Sequence, residues 1–292
     1  MKYKLYQPSA LRDLMNRHHI QAKKGFGQNF LIDLHALQAI VDAACVGTTS
    51  QDCIIVEIGP GLGTLTQALA EEGFSSVIAV EKDASLLPVL HEALEEYPNV
   101  TILQGDALKF DFASMFHTFP QNMSVRLAAN LPYYITTPLL LRLLEEHLAF
   151  ERLVIMVQKE VASRLVAKPG TKEYGALSVA VQYYTTPQLV TTVAAGSFLP
   201  RPQVDSAVVS LLHRQGPFAH DQAAQALFFR IVRFAFAQRR KTLMNALSSG
   251  FTHLDKAAVT HFIETAGIEP MRRGETLSIE EFAGLTRAFY TN

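Results

Sequence analysis

CIIVEIGPGLG, the sequence from Cys53 to Gly63, decides the fold of this chain. Its first six residues are mostly apolar and have the length of a buried strand, and a helical pattern follows from Thr64 until Gly73 ends it. A strand, a glycine loop and a helix in this order form the nucleotide-binding unit of doubly wound α/β sheets, because glycines let the backbone approach a ligand closely. The stretch therefore predicts a Rossmann-like sheet.

The spacing of the glycines bears on the identity of the ligand. Dinucleotide-binding loops read GxGxxG, whereas residues 59–63 read GxGxG and contain Pro60. This form, preceded by the acid Glu57, resembles the S-adenosylmethionine loop of Rossmann-like methyltransferases. Gly59, Gly61 and Gly63 are therefore candidate cofactor contacts.

Two further acids are expected at the same edge of the sheet. The strand-like run 76–80 ends in Glu81, where an acid can accept hydrogen bonds from both hydroxyls of a ribose. NAD and S-adenosylmethionine share this requirement, so Glu81 indicates a ribose and does not choose the cofactor. The run 100–104 is followed by Asp106 and Ala107. Asp106 can accept a bond from an adenine amine, with the Ala107 N–H directed at the ring, or it can be an ordinary turn residue.

A fourth strand, residues 124–129, leads directly into Asn130-Leu131-Pro132-Tyr133. The exocyclic amine of adenine is a poor nucleophile, because its lone pair is delocalised into the ring. The Asn130 oxygen and the Leu131 carbonyl can accept its N–H groups, while Pro132 fixes φ and Tyr133 stacks on the base. The letters NLPY resemble the [Asn/Asp/Ser]-Pro-Pro-[Tyr/Phe] signature of amino methyltransferases acting on nucleic acids. A plain strand-to-helix turn is the alternative.

Two other segments are candidates for the same site. Residues 25–31 contain two glycines, and Gln28 and Asn29 supply amide donors and acceptors; a simple turn before a helix capped by Asp33 is the other interpretation. The loop 198–206 contains two prolines and is predicted to present Phe198. Phe198 is either a small hydrophobic plug or the second face of a base clamp opposite Tyr133.

The composition indicates a globular protein without a membrane span. The chain has 292 residues, of which 49% are hydrophobic and 18% charged, and no apolar run approaches about 20 residues. We see no secretion signal, and Cys45 and Cys53 form no disulfide framework, which favours the cytoplasm. The sequence lacks HExxH and Cys/His clusters, so no metal site is predicted.

The net charge of −1 conceals an uneven distribution. Residues 1–25 carry six Lys/Arg and one acid, and residues 222–250 carry five Lys/Arg and no acid, so both blocks are candidate phosphate contacts or solvated helix faces. After Gly216 and Pro217 the apolar pattern becomes entirely helical. We therefore predict a basic N-terminal arm or short helix (1–24), a catalytic domain (25–214) and a helical C-terminal domain that contacts RNA (215–292).

Taken in order, these motifs and the AQRRKTL stretch from Ala237 resemble the ribosomal RNA adenine N6,N6-dimethyltransferase family over residues 20–290, and most closely its bacterial small-subunit members. The resemblance implies that a monomer, using S-adenosylmethionine, dimethylates two adjacent adenosines in the 3′-terminal hairpin loop of 16S rRNA within a small-subunit particle. By position, it implies that the cofactor is lined by Gln28, Asn29, Leu31, Gly59, Gly61, Glu81, Asp106 and Asn130. It also implies that the target base is held by Asn130, Leu131, Tyr133 and Phe198. Tyr134 departs from many relatives, which carry Asn there.

Three alternatives remain at this stage. A macrolide-resistance methyltransferase of the same family would act on large-subunit RNA, and the NLPY spelling and the loop at Phe198 favour the small-subunit enzyme. A non-catalytic RNA-binding assembly factor would not need the cofactor positions. An NAD oxidoreductase is disfavoured by the GxGxG spacing and by the absence of a Tyr-x-x-x-Lys pair.

Overall fold

The computed structural model of the chain describes residues 4–23, 25, 27–146, 148 and 150–290. These residues form two compact units. The sheet unit comprises Met1–Ala162 and Gln188–His213, and the helical unit comprises Ser163–Pro187 and Arg214–Asn292.

The strands alternate with helices along the first half of the chain. The strands are β1 (Phe30–Leu31), β2 (Cys53–Ile58), β3 (Ser76–Glu81), β4 (Val100–Gln104), β5 (Ser124–Asn130), β6 (Arg152–Gln158), β7 (Thr185–Val193), β8 (Phe198–Leu199) and β9 (Ser206–His213). The helices are α1 (Pro8–Arg17), α2 (Leu34–Cys45), α3 (Thr64–Glu72), α4 (Leu87–Ala93), α5 (Phe112–Phe116), α6 (Thr136–Glu145), α7 (Lys159–Leu165), α8 (Ala176–Tyr184), α9 (Gln222–Ala237), α10 (Leu243–Gly250), α11 (Lys256–Thr265) and α12 (Ile279–Tyr290).

The main sheet has seven strands in the order β4-β3-β2-β5-β6-β9-β7. Strands β2 to β6 pair in parallel, and β9 is antiparallel to β6. Every residue of β2 is buried, as expected for a strand covered on both faces. The chain proceeds from β2 to β3 on one side, and β5 lies on the other, so the carboxyl ends of β2 and β5 form a topological switch point. The predicted α/β fold is therefore confirmed.

Helix termini in the structure follow local side-chain chemistry. Asp33 accepts hydrogen bonds from the backbone N–H groups of His35 and Ala36 and caps α2, as predicted. Ser278 and Glu281 exchange backbone and side-chain hydrogen bonds at the start of α12 and so form a capping box. Among the helices that the structure describes, none is long and apolar enough to cross a membrane.

The helical unit contains residues that the sequence boundary at 215 assigned to the catalytic domain. Helix α8 packs on α9 through aromatic rings: the Tyr183 ring lies 4.9 Å from the rings of both Phe228 and Phe229. Burial of such rings stabilises the packing of these helices, and it does not require that the rings be close in sequence. Residues 163–187 therefore cluster with the C-terminal helices although they precede β9 in sequence.

The basic N-terminal segment is a packed helix within the sheet unit. Leu11 and Leu14 of α1 are buried in one cluster with residues of α4. Arg17 donates to Glu92 over 2.6 Å, and Lys23 donates to Asp83 over 2.8 Å. Arg17 and Lys23 are therefore used inside the unit, whereas Lys4 and Arg12 are exposed, and phosphate contact by the rest of the arm stays a prediction. Residues 1–3 and 24 of the predicted arm lie outside the described residues.

Gly63 serves the packing of helix α3. It adopts φ +86° immediately before the helix, and a Cβ at this position would lie 3.2 Å from Leu90 and 3.3 Å from Leu94. Only glycine adopts this backbone conformation without strain. Gly63 therefore allows α3 and α4 to approach each other closely.

We expect Gly63→Ala to lower the free energy of unfolding by about 2 kcal/mol, because a left-handed alanine is strained and its Cβ meets Leu90. Gly47→Ala is the matched control: Gly47 has φ +83° in the same unit, with nothing within 4 Å of the added Cβ. It should cost only about 1 kcal/mol. Urea unfolding measures both, and equal losses would contradict the packing role.

Candidate active site

A cavity opens where the carboxyl ends of the central parallel strands meet, and the empty space within it and its open mouth amounts to about 990 Å³. Its lining includes residues after β2, β3, β4 and β5, together with the segment 27–31 that contains β1. The lining contains eleven of the thirteen predicted site residues: Gln28, Asn29, Leu31, Gly59, Gly61, Glu81, Asp106, Ala107, Asn130, Leu131 and Tyr133. Tertiary structure thus brings together residues separated by about a hundred positions in sequence.

Gly63 and Phe198 are not part of this lining. Gly63 faces Leu90, as described above. Phe198 is 3% exposed, because β8 pairs with β1 and the ring packs in the core cluster beside Leu31. The structure therefore favours the hydrophobic-plug interpretation of Phe198, and its contact with a base stays a prediction; pairing of a two-residue strand was not visible in the sequence.

The glycine loop carries its own backbone hydrogen bonds. The Gly59 N–H donates to the Val80 carbonyl over 3.0 Å, and the Gly61 N–H donates to Glu81 Oε2 over 3.2 Å. Gly61 has φ +62°, and a Cβ there would lie 3.0 Å from the ring of Phe30. The loop is thereby held against the end of β3 and lines the cavity through Gly59, Pro60 and Gly61.

Glu81 is a buried acid at the cavity wall. Its carboxylate accepts hydrogen bonds from the backbone N–H groups of Gly61 and Asp83, at 3.2 Å and 2.7 Å. Burial raises the pKa of Glu81, although these two hydrogen bonds act in the opposite direction. The side chain is therefore fixed in orientation at the position predicted for a ribose.

Asp83 supports the cavity edge through Gln28, a contact that the sequence analysis did not predict. It accepts hydrogen bonds from Gln28 Nε2 at 3.0 Å and from Lys23 Nζ at 2.8 Å, and the Gln28 side-chain oxygen accepts the Lys23 backbone N–H. Burial alone would raise the pKa of Asp83, but the hydrogen bonds from Lys23, Ser85 and Gln28 lower it to about 2. A second acid two residues after Glu81 was the available signal. This network holds Gln28 at the edge of the cavity.

Asp106 and Ala107 are held from outside the cavity. Asp106 pairs with Lys82 at 2.9 Å and accepts the Leu108 N–H, and the Lys82 hydrogen bond lowers the pKa of this carboxyl. The Ala107 carbonyl accepts a bond from Arg142 Nη1 at 2.6 Å. Asp106 is therefore ionised at neutral pH and remains on the cavity wall with its charge partly neutralised.

The orientation of the Asn130 amide is set by a single contact. Its Nδ2 donates to the Asn29 carbonyl over 3.0 Å, so its oxygen is the end left for a ligand. The Leu131 N–H donates to the Met156 carbonyl. Within the described part of the chain, no donor reaches Asn130 Oδ1 or the Leu131 carbonyl. Two neighbouring acceptors thus remain available where β5 ends.

Tyr133 is anchored by its hydroxyl, which lies 2.9 Å from Ser206 Oγ at the start of β9. Ser206 is fully buried, so this hydrogen bond joins the tyrosine to the rigid sheet. Tyr133 lines the cavity beside Asn130. A ring fixed at its far end offers a flat, pre-oriented surface.

Glu57 and Thr64 also line the cavity, with polar atoms that lack partners. Glu57 is 1% exposed, and its Oε2, like the Thr64 hydroxyl, has no hydrogen-bond partner among the described residues. Burial raises the pKa of Glu57 to about 8, and the charge of Glu81 acts in the same direction. Buried polar atoms without partners at a cavity wall indicate a polar ligand. In the sequence, Glu57 was visible only as the acid before the loop.

No cluster of His, Cys, Asp and Glu that could hold a metal ion occurs among the residues placed by the structure.

The raised pKa of Glu57 has a consequence for stability. In the unfolded chain this carboxyl loses its proton near its ordinary pKa of 4.5, whereas in the folded chain it keeps the proton up to about pH 8. The contribution of Glu57 is therefore complete below about pH 4.5 and is lost as pH rises to about 8, at most about 1.4 kcal/mol per pH unit. Urea unfolding should show that Glu57→Gln removes this decline. If the free energy of unfolding fell with pH equally in the wild type and in Glu57→Gln, Glu57 would not be the cause of the decline.

Sequence comparison identifies relatives along nearly the whole chain. A family model described as ribosomal RNA adenine dimethylase matches residues 19–286. Proteins named ribosomal RNA small subunit methyltransferase A, from Bacillus mycoides (strain KBAB4) and Bacillus anthracis (strain CDC 684 / NRRL 3495), are each 49% identical over 284 residues. These residues are 96% of this chain and 96% of each relative.

Solved structures agree with this result. A dimethyladenosine transferase from Plasmodium falciparum superimposes with a TM-score of 0.75 at 26% identity, covering 90% of this chain and 98% of that one. The 23S rRNA methyltransferase ErmE superimposes with a TM-score of 0.68 at 24% identity, covering 89% and 99%, and shows likeness of fold alone. The chain therefore belongs to the ribosomal RNA adenine dimethylase family and is a methyltransferase that uses S-adenosylmethionine.

Proposed function

We propose that this enzyme dimethylates N6 of two adjacent adenosines in the 3′-terminal hairpin loop of 16S rRNA, within a small-subunit particle. The observation that carries the proposal is the pair of unclaimed acceptors, Asn130 Oδ1 and the Leu131 carbonyl, at the edge of the cavity. An amine with two N–H groups matches two neighbouring acceptors. The relatives named small subunit methyltransferase A support the choice of the small-subunit RNA.

The cavity fits the cofactor in charge and in shape. Glu81 would accept the ribose hydroxyls, and Asp106 with the Ala107 N–H would meet the adenine. Gly59, with nothing within 4 Å of an added Cβ, leaves space beside its backbone for the methionine end, and Glu57 supplies a partnerless buried carboxyl oxygen for a polar or cationic group. When bound, S-adenosylmethionine supplies an electrophilic methyl group on a sulfonium.

The residues after β5 would prepare the target amine. Asn130 and Leu131 would each accept one N–H bond, which favours pyramidal nitrogen and turns the lone pair away from the ring. Tyr133 would stack on the base, with its hydroxyl held by Ser206. The methylated nitrogen becomes acidic and can release its proton to water, so the chain needs no dedicated base.

A single chain supplies this cavity, since its lining lies between residues 27 and 135. We therefore propose that the enzyme acts as a monomer. Cys45 and Cys53 are free thiols, in keeping with a cytoplasmic protein.

The decisive assay is radiolabelled methyl transfer to small subunits that lack the modification, followed by nucleoside analysis. The expected product is N6,N6-dimethyladenosine at two adjacent positions near the 3′ end of 16S rRNA. Large subunits are the parallel substrate, because the fold is shared with ErmE. Labelling of large-subunit RNA alone would replace this proposal with the resistance-type activity, and no labelling of either would indicate a non-catalytic factor.

We expect Asn130→Ala to lower kcat by about 100-fold or more, because it removes an acceptor aimed at the reacting amine. Asn122→Ala is the matched control, since Asn122 is an exposed asparagine of the same unit, away from the cavity. Steady-state methyl transfer and thermal unfolding should be measured on both variants. Full activity of Asn130→Ala would discard the assigned role.

The basic stretch after α9 divides into two kinds of residue. The Arg239 guanidinium pairs with Glu275 at 3.0 Å and donates to the carbonyls of Lys172 and Tyr174 within the helical unit. Arg240 and Lys241 are exposed at the surface. We therefore assign phosphate contact to Arg240 and Lys241 and a bracing role to Arg239.

Replacing Arg240 or Lys241 by Ala should weaken binding to the small subunit and reduce the slope of log affinity against log salt by roughly one per residue. Arg239→Ala should instead lower the stability of the helical unit, because it leaves Glu275 and two carbonyls without a partner. Filter binding at several salt concentrations, with urea unfolding in parallel, separates the two effects. An unchanged slope in the double variant Arg240→Ala/Lys241→Ala would contradict the assignment.

A further inference from the structure

The adjacent residues Tyr133 and Tyr134 reach toward opposite sides of β5. The Tyr133 hydroxyl lies at Ser206 in β9, which is separated from β5 by β6. Tyr134 lines the cavity together with Lys82, which follows the last residue of β3, and β3 is separated from β5 on the other side by β2. One tyrosine thus faces the side of the target base, and the other faces the side where the acids Glu81 and Asp106 lie.

Tyr134 lies at the rim of the cavity opposite the N-terminal segment. Its ring is in van der Waals range of Gly27, where an added Cβ would lie 3.5 Å from Tyr134 Cδ1 and 3.7 Å from Cε1. Gly27 has φ +60°, and both residues belong to the cavity lining. The Tyr134 ring and Gly27 therefore lie next to each other at the cavity edge.

Lys82 connects Tyr134 to the far end of the cavity. Its ammonium pairs with Asp106 at 2.9 Å, and this hydrogen bond raises the pKa of Lys82, with the Tyr134 phenol acting in the same direction. Lys82 and Asp106 therefore form an ion pair in the cavity lining, to which Tyr134, Glu81 and Ala107 also belong. These wall positions are the ones assigned to the ribose and the adenine.

Tyr134 presents an exposed aromatic ring at the cavity mouth. It is 53% exposed although it belongs to the cavity lining. Its ring has no aromatic stacking partner among the described residues. A large aromatic face at a cavity mouth is the kind of surface that a bound ligand covers.

We propose that Tyr134 is a cofactor-binding residue whose ring closes the mouth of the cavity over the nucleoside half of the bound cofactor, between Gly27 and Lys82. The inference rests on the proposed function in placing the methyl donor in this cavity. Dimethylation requires that spent cofactor leave and fresh cofactor enter between the two transfers. The Tyr134 ring then slows release of S-adenosylhomocysteine and so influences how much monomethylated RNA is released.

Cofactor binding to the free enzyme, without RNA, tests this role directly. Calorimetry with S-adenosylhomocysteine should show about tenfold weaker binding for Tyr134→Ala, and stopped-flow displacement should show a correspondingly faster release. Tyr134→Phe should stay within about twofold of the wild type, because the ring supplies the contact. Tyr290→Ala is the matched control, since Tyr290 is 55% exposed in the helical unit. Thermal unfolding of Tyr134→Ala should match the wild type, because the side chain is half exposed.

Two results would overturn the inference. Unchanged cofactor affinity in Tyr134→Ala, with a raised KM for the RNA substrate, would assign the ring to the target base. Unchanged cofactor affinity and unchanged KM would leave Tyr134 without a role in either site. If the wild-type enzyme itself binds no S-adenosylmethionine, the proposed function fails first, and calorimetry on the wild type identifies that case.

Discussion

The hydrogen bond from the Asn130 side-chain amide to the Asn29 carbonyl is the contact on which the site depends. An asparagine at the end of a strand can present either its oxygen or its nitrogen to a ligand. Because Asn29 takes the nitrogen, the oxygen is left to act beside the Leu131 carbonyl. A side chain that would otherwise rotate freely therefore becomes a directed acceptor.

That contact in turn requires the segment before β1 to be held in place. Gln28 is tied to Asp83, and Asp83 is tied to Lys23, while β1 pairs with β8. The basic N-terminal residues thus stabilise the cavity edge by pairing with acids of the sheet unit. Lys23 belongs to the basic block that the sequence predicted as a phosphate contact, and here it helps to hold the segment that contains Asn29.

Both burial and ion pairing affect the charge of the carboxyl groups in and beside the cavity. Asp106 and Asp83 are kept ionised by lysines and hydrogen bonds, whereas burial raises the pKa of Glu57 and Glu81. Low-dielectric surroundings make an acid costly to ionise unless a cation arrives. A cofactor that carries a positive charge would provide one. The same wall can therefore be stable when empty and favourable to the methyl donor when it binds.

The sequence by itself determined the strand, glycine loop and helix from Cys53 to Glu72, the order of the strand-end acids and the NLPY stretch. Those features depend on local patterns, periodicity and backbone freedom, and each of these is set by residues that are adjacent in sequence. Only the tertiary structure decided that Gly63 packs against α4, that Phe198 is buried by pairing of β8 with β1, that Glu57 lines the cavity, and that Asp83 holds Gln28 at its edge. It also decided which face of the Asn130 amide is available. Each of these outcomes depends on contacts between distant segments, and a hydrogen bond across 101 residues leaves no local signature in the sequence.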